Sequence, residues 1–446
     1  MRKLIAFLLV CALLVPALLA GCKQKKQADE TLVVYSPNND DIKNEFERAF
    51  AEDYKARTGK TVAIEWRDVG GGGVSIVSAL RNAYSGGKGT CEADILWGGG
   101  DQSAIMLAQD KLLEPLTLPK DVTDNIPAQL AGVQMYDLHG GWCGTCLSAF
   151  GLLYNRQLLQ RRGLAEPATW DDLGKGQYRD LLALADPTQS SSAAAAYEMI
   201  VQSSKDWPAG WAKLLAILGN ANKFESSASD ATRAVENGSA AIATCIDFYG
   251  QNSVASHKGQ LAFVLAKGQT AFTCDPIAVL KGPPHPELAR EFVAFVLSAK
   301  GQALWALKKG SPGGPVQKEL GRQPIRRDVY DKHAADFLPL LANPYKLAGG
   351  MTLDVQLKQA RGDVLNLLVR ATAVDNAQGL KAARKKLADH PNDRALLEEY
   401  NRLPANVDTT DEIYNLADQI KDPAKADVLA NQWDEFFRAK YRKINQ

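Results

Sequence analysis

The 446-residue sequence has almost no net charge, with 52 lysines and arginines against 51 aspartates and glutamates for a balance of +1. Without a basic excess it offers no electrostatic footprint for nucleic acid. Histidine is scarce: His139, His257, His285, His333 and His390 are scattered and form no H-E-x-x-H or comparable metal spacing. Cysteine is sparse too, at 7 residues. Cys143 and Cys146 make one C-x-x-C in the run WCGTC, with no second pair close by to complete a zinc site. That pair also lacks the helix-start setting that thiol exchange needs. Beyond residue 21 no apolar run is long enough to span a bilayer. Asp186, Asp247 and Asp275 are scattered carboxylates, and no nucleophile has a base at a motif-specified position. Catalysis and a cofactor are therefore not expected.

What is present starts at the N-terminus. Arg2 and Lys3 precede an almost wholly apolar run, Leu4 to Ala20, ending in small residues. This is the layout of a secretory signal segment, residues 1–21, and it is set aside from fold reasoning. Its last residues, Leu-Ala-Gly-Cys, resemble the bacterial lipoprotein signal, in which Cys22 receives lipid and becomes the new N-terminus. More than one acyl chain is needed for stable anchoring. Residues 22–30, polar from Lys23, then read as a tether, and the expected location is a membrane face outside the cytoplasm. Removing Arg2 and Lys3 leaves a balance of −1, which gives no further reason to expect nucleic acid.

Apolar patterning divides the rest. TLVVYS reads as a buried strand, and the next segment places Ile42, Phe46, Phe50 and Tyr54 on one helical face, stopped near Gly59. TVAIEWRD, a glycine-rich turn entering a helix, and EADILWGGG continue an alternation of strand and helix. The spacing predicts an α/β lobe with a mainly parallel sheet. A second set of mixed elements follows from about Val133 to Phe263, and residues from about Thr270 to Leu280 return the chain to the first lobe. The expected division is lobe 1 over 31–132 and 264–345, lobe 2 over 133–263, and a helical C-terminal extension over 346–446. The extension is expected to pack on the body and stabilise it, with a partner surface as the alternative. Two crossings between lobes place a ligand between them, at strand C-terminal ends and helix N-terminal ends.

Several stretches carry a resemblance: TLVVYSPN, ADILWGGG, LLYNRQLL, ADPTQSSSAAAAYEMI, ENGSAAIATCIDFYGQ, LKGPPHPELAREFVAFVLSAKGQALWA, GSPGGPV and GRQPIRRDV. Their order and spacing over roughly 31–330 resemble the extracellular solute-binding proteins of ABC importers, in the iron, thiamine and phosphonate-type branch. The resemblance implies an α/β, two-lobed type II periplasmic-binding-protein fold that closes on a small ligand and presents it to a permease.

Candidate ligand-binding residues follow from chemistry and from that resemblance. Tyr35 and Ser36 end a strand, and Ser75 lies at a helix start behind four glycines. Unpaired amides and the helix field there favour an anion. Gly98, Gly99 and Gly100 let a ligand approach backbone closely. Ser190, Ser191 and Ser192 precede an alanine-rich helix, another place to cradle phosphate or carboxylate. Asp247, Phe248 and Tyr249 fall where ferric-ion members of the family carry an adjacent tyrosine pair. Here one of the pair is phenylalanine, so Tyr249, with Asp247, is the alternative metal set, and the preferred ligand is organic. Phe248 packs either on a ligand or in the core. Trp97 and Trp142 line the cleft or the core. Arg326 and Arg327 reach an anion or lie at the surface. Cys91, Cys143, Cys146, Cys245 and Cys274 are odd in number, so one stays free unless it pairs outside the chain. A disulfide is expected between Cys245 and Cys274, or between Cys143 and Cys146.

The expected function is reversible capture of a small anionic organic solute, phosphorylated compounds included, by a monomer anchored through lipid and partnered by an ABC permease. Ferric-ion transport, and a membrane-anchored sensor or scaffold on the same fold, are the alternatives.

Overall fold

The computed structural model describes residues 28–446 apart from 71, 88, 334, 339, 340, 342 and 348–350. The signal segment 1–21, the lipid site Cys22 and tether residues 22–27 lie outside the described residues.

The first elements show how local sequence builds the frame. Strand β1, Glu30–Tyr35, buries Leu32, Val33 and Val34 and leads into helix α1, Asp40–Thr58. Asn39 caps α1 by accepting the Ile42 amide at 3.0 Å, and Asp40 and Asp41 complement the positive end of the helix dipole. Ile42, Phe46, Phe50 and Tyr54 recur at four-residue intervals and face the sheet, all buried. Burial of each phenylalanine stabilises by about 1.5–3 kcal/mol. Gly59 ends the helix at φ 76°, where its amide caps the Lys55 carbonyl.

Strand β2, Val62–Arg67, helix α2, Gly73–Ser85, strand β3, Ile95–Trp97, and helix α3, Asp101–Gln109, continue the alternation. A small hairpin, β4 (Gln129–Leu130) and β5 (Val133–Gln134), precedes β6, Cys143–Asn155. Then come β7 (Leu182–Ala185), helices α4 (Ser191–Gln202) and α5 (Trp207–Leu218), β8 (Ala221–Glu225), α6 (Ala228–Glu236) and β9 (Ile242–Ile246). Helix α7 (Asp247–Ser256), β10 (Leu261–Leu265) and β11 (Phe272–Val279) follow, then helices α8 (Pro286–Leu297) and α9 (Ala299–Ala306) and β12 (Gln323–Pro324). The C-terminal part is helical: α10 (Val355–Val369), α11 (Ala377–Asp389), α12 (Arg394–Asn401), α13 (Thr410–Gln419) and α14 (Pro423–Asn445).

One mixed sheet runs β2-β1-β3-β11-β6-β9-β7-β8, with β10 and β12 also paired to β6. The β1–β2, β1–β3, β7–β8 and β7–β9 pairings are parallel, while β11, β9, β10 and β12 meet β6 antiparallel. β6 is 13 residues long and buried throughout, so its outward face is never alternately polar. Residues 143–149 of β6 pair with β11, and residues 150–154 pair with β9. The sheet therefore has two halves that share this strand. Trp97 packs in the core with Phe46, Phe292 and Trp305. Trp142 is also buried, at 2% exposure.

Two sequence expectations need correction. All five described cysteines are free and buried. Cys143 and Cys146 lie three residues apart on one strand, so their side chains point to opposite faces, about 10 Å apart along the chain. Cys245 pairs opposite Gly151 and Cys274 opposite Leu147, four residues apart on β6. That separation is about 13 Å, beyond disulfide reach. Burial pushes the Cys146 and Cys245 thiols up to about 12, which leaves them protonated and inert. The second correction is Arg326, expected at the surface or on an anion but 1% exposed. It is consumed by a structural ion-pair set with Asp121 at 2.8 Å and Asp328 at 3.0 Å.

Candidate functional site

The turn after β3 is built from three consecutive glycines with φ of 93°, 88° and 81° at Gly98, Gly99 and Gly100. Side-chained residues rarely adopt that backbone, which explains the composition. The start of α2 presses onto this turn. A Cβ on Gly73 would lie 2.0 Å from Ser103 Oγ and 2.1 Å from the Gly99 carbonyl oxygen. No side chain caps α2, and the Gly72 carbonyl takes the Ser75 and Ile76 amides, so of the first turn the Gly73 and Val74 amides are left to solvent or to a ligand.

Opposite stands the start of α4. A Cβ on Gly72 would lie 3.8 Å from Ser191 Oγ, which brings the starts of α2 and α4, from the two halves of the sheet, to either side of one narrow gap. Ser190 is turned inward and caps its own helix through the Ala193 amide at 3.3 Å. Ser191 is exposed and Ser192 half-buried, so Ser191 is the hydroxyl that faces the gap.

Behind the gap lies a buried polar cluster made where β6, β11, β12 and α7 meet. Asp275 Oδ1 accepts the Gly100 amide at 2.8 Å, and Oδ2 pairs with Arg322 Nη2 at 2.6 Å. Arg322 Nη2 also donates to Ser148 Oγ at 2.6 Å, and the guanidinium stacks 4.4 Å over the Phe248 ring. Gln323 Nε2 donates to Asp247 Oδ2 at 2.7 Å, and the Ala149 amide donates to the same oxygen at 3.0 Å. Asp247 Oδ1 accepts the Phe248 amide at 2.8 Å. Burial raises Asp247 to about 6, against the pull of Arg322, the two amides and Gln323. Burial works to lower Arg322, but Cys146, Asp275 and Asp247 around it leave it raised and charged. Two polar atoms of this cluster, Arg322 Nε and Gln323 Oε1, are buried without a hydrogen-bond partner among the described residues. Leaving such atoms unpaired costs about 1–3 kcal/mol each, so they are places where a bound molecule gains contacts.

The sequence candidates divide accordingly. Gly98, Gly99 and Ser191 border the gap, and Asp247 belongs to the cluster behind it. Ser36 is fully buried, and its Oγ accepts the Asn38 amide at 3.2 Å. Tyr35 is half-buried under Arg67, 5.8 Å from its ring centroid. Ser75 is exposed on α2, and its amide is taken by the Gly72 carbonyl at 3.1 Å. Tyr249 lines a groove of 220 Å³ between α6 and α7 with Thr232, Glu236 and Asn252. Burial there raises its phenol. Arg322, Gln323, Asp275 and Ser148 were not singled out as ligand residues. The signal that could have found Arg322 was its place in GRQPIRRDV, beside the two arginines that were considered. A larger groove of 640 Å³ lies among α11, α12 and α14, where Glu399 is paired to Arg402 and Lys443.

Known proteins resemble this arrangement in sequence and in shape. A family model described as bacterial extracellular solute-binding protein matches residues 93–328, more than half of the chain. The phosphoglycerate transport regulatory protein PgtC of Salmonella typhimurium is 31% identical over 212 residues, covering 45% of this chain and 52% of that protein. The chain thus matches about half the length of the curated relatives it resembles. Among solved structures, the periplasmic binding protein AfuA from Actinobacillus pleuropneumoniae, with fructose-6-phosphate bound, aligns with a TM-score of 0.56 at 17% identity. That alignment covers 81% of this chain and 98% of AfuA. Iron-bound HitA from Pseudomonas aeruginosa aligns with a TM-score of 0.51 at 20% identity, over 72% of this chain and 92% of that one. At these identities the likeness concerns the fold alone: an α/β arrangement of mixed sheet and helices consistent with periplasmic binding-protein architecture.

Proposed function

This chain belongs to the bacterial extracellular solute-binding protein family, and we propose that it is the substrate-binding component of an ABC importer. In this reading the two halves of the sheet are the cores of two lobes in a type II arrangement. The helices from residue 355 onward are an extension fused to the second lobe. The chain captures a small organic anion, phosphorylated rather than metallic, and delivers it to a membrane permease, held near it by lipid on Cys22. Its role is reversible capture, with no bond made or broken.

The observation that carries the proposal is the pairing of the uncapped α2 start with Ser191 across the gap. Two helix starts meeting at one space favour an anion through their dipoles and the first-turn amides that the caps leave over. Arg322 stands behind them on Phe248, with one buried N–H unspent. The names of PgtC, a phosphoglycerate transport regulatory protein, and of AfuA, solved with fructose-6-phosphate bound, support the same ligand class. Closure follows from contacts that a solute makes with both lobes at once; a solute bound equally by open and closed forms would shift nothing.

Ferric-ion binding fits less well. Both Asp247 oxygens already accept N–H groups, and Phe248, where the iron-binding pair would place a tyrosine, carries Arg322 on its face. A second reading does draw on an observation: PgtC is named a regulatory protein, which favours a membrane-anchored sensor of the same solute.

Native mass spectrometry of the chain expressed from Lys23, without lipid, tests the proposal. A co-purifying phosphorylated compound, or a mass shift on adding phosphoglycerate or fructose 6-phosphate, is the expected result. Stoichiometric iron with no response to phosphorylated compounds would overturn it.

A further inference from the structure

Two carboxylates stand at the turns that border the gap. Asp101 opens α3 directly after Gly100 and is 6% exposed. Asp186 lies just before α4, where it gathers the Thr188 amide and hydroxyl and the Gln189 side chain. Left bare, both would repel an anion approaching the helix starts.

Each is met by a cation, and both cations come from one distant segment. Lys358 Nζ, on α10, stands 3.5 Å from Asp101 Oδ1. Arg370, at the end of α10, stands 3.7 Å from Asp186 Oδ2 and donates to Thr188 Oγ1 at 3.2 Å. Helix α10 runs antiparallel along α4 and is fixed to it. Arg361 donates to Glu198 at 2.7 Å with both side chains 3% exposed, and Asp354 and Gln202 exchange two hydrogen bonds. The same segment also reaches the other half of the sheet's surroundings. The Leu353 amide donates to the Ala131 carbonyl at 3.0 Å, and a Cβ on Gly132 would lie 2.4 Å from the Leu353 carbonyl oxygen. The polar cluster behind the gap adds an independent sign of a ligand there. Arg322 Nε and Gln323 Oε1 are buried with no partner among the described residues, and Asp275 ties that cluster to the Gly100 turn.

We infer that the C-terminal helices form a third wall of the ligand gap, and that Lys358 and Arg370 make it receptive to an anion by cancelling Asp101 and Asp186. This rests on the anionic-solute reading above. It turns the C-terminal helices from a passive buttress into part of the specificity of the site. The lobes supply the helix starts, and the extension supplies the compensating charge.

A charge-neutralisation cycle on the chain from Lys23, titrated calorimetrically with phosphoglycerate, tests it. Lys358→Gln should weaken binding about tenfold, because Asp101 is then uncompensated beside the anion. Asn at 101 still accepts the Gln102 amide that Asp101 now holds at 2.9 Å. The double variant Lys358→Gln with Asp101→Asn should therefore return to within about threefold of the parent. Asp101→Asn alone, which keeps Lys358, should bind more tightly than the parent and serves if the lysine variant folds poorly. Lys381→Gln, which breaks an ion pair with Asp180 away from the gap, should leave affinity unchanged. Parent-like affinity in Lys358→Gln, or no recovery in the double variant, overturns the inference while leaving the anionic reading intact. A parent chain that binds no phosphorylated compound overturns that reading, and this inference with it.

Discussion

Asp275 holds Gly100 with one carboxylate oxygen, at 2.8 Å, and Arg322 with the other, at 2.6 Å. One side chain on β11 thus fixes both the glycine turn that borders the gap and the guanidinium behind it. The arrangement makes this aspartate a positioning group for the whole site, although it has no free oxygen for a ligand.

Removing it should cost twice. Asp275→Ala leaves Arg322, 3% exposed, without its ion-pair partner and frees the Gly100 amide. Breaking a buried pair from one side destabilises by about 3–5 kcal/mol. Urea unfolding should show a loss of that size, and phosphoglycerate affinity should fall more than tenfold at temperatures where the variant remains folded. A near-neutral change in both would contradict the role assigned to the pair.

Asp247 sets an expected pH dependence. Its folded pKa is raised to about 6 from 3.8, so the folded chain binds the proton more tightly than the unfolded chain between those values. Stability therefore falls as pH rises from about 4 to about 6, by up to roughly 3 kcal/mol from this group. Asp247→Asn should flatten that part of the profile. Urea midpoints at pH 4.5 and pH 7 in both proteins measure it, and an unchanged slope in the variant would assign the dependence elsewhere.

Two glycines should separate steric from conformational demand. Gly73→Ala drives a methyl into the Gly99 carbonyl and Ser103, so α2 must move off the turn. Gly100→Ala meets nothing within 4 Å but must hold φ 81°. The first should lose solute affinity strongly. With ψ at 155°, a region nearly reserved for glycine, the second should cost about 1–3 kcal/mol of stability, with affinity less affected than in the first. Thermal melts paired with titrations distinguish them, and equal loss of binding in both would show that the close packing at Gly73 is not what positions α2.

Lys440 makes a separate prediction for the C-terminal helices. It is 1% exposed and donates to the Tyr400 and Arg402 carbonyls at 2.8 and 3.1 Å. Burial, with Arg402 nearby, lowers it to about 7 from 10.5. The unfolded chain holds that proton over the whole window, so this group makes stability rise as pH climbs from about 7 toward 10. Lys440→Met should abolish the rise, as chemical unfolding at pH 7 and pH 9.5 would reveal. A rise of the same size in the variant would rule Lys440 out as its source.

Much of the frame was legible because it is written locally. The Ile42, Phe46, Phe50, Tyr54 stripe and the Gly59 stop lie within one short segment. The glycine turn and the serines before α4 announce themselves by composition. The polar cluster was not legible, because its members meet only through long-range pairing on β6. Arg322 reaches Ser148 across 174 residues of sequence. Nothing in GRQPIRRDV tells Arg322, which enters the site, from Arg326, which locks Asp121 and Asp328. Asp247 and Asp275 read as scattered carboxylates for the same reason. The expected disulfides failed on strand geometry, which cysteine counting cannot see.

The most direct test of the account is a calorimetric comparison of phosphoglycerate and glycerate titrated into the chain expressed from Lys23. Facing helix starts and an unspent Arg322 N–H predict saturable one-to-one binding of phosphoglycerate. Glycerate, lacking the phosphate, should bind at least tenfold more weakly. Equal affinity for the two, or no heat from either while ferric ion binds stoichiometrically, would contradict it.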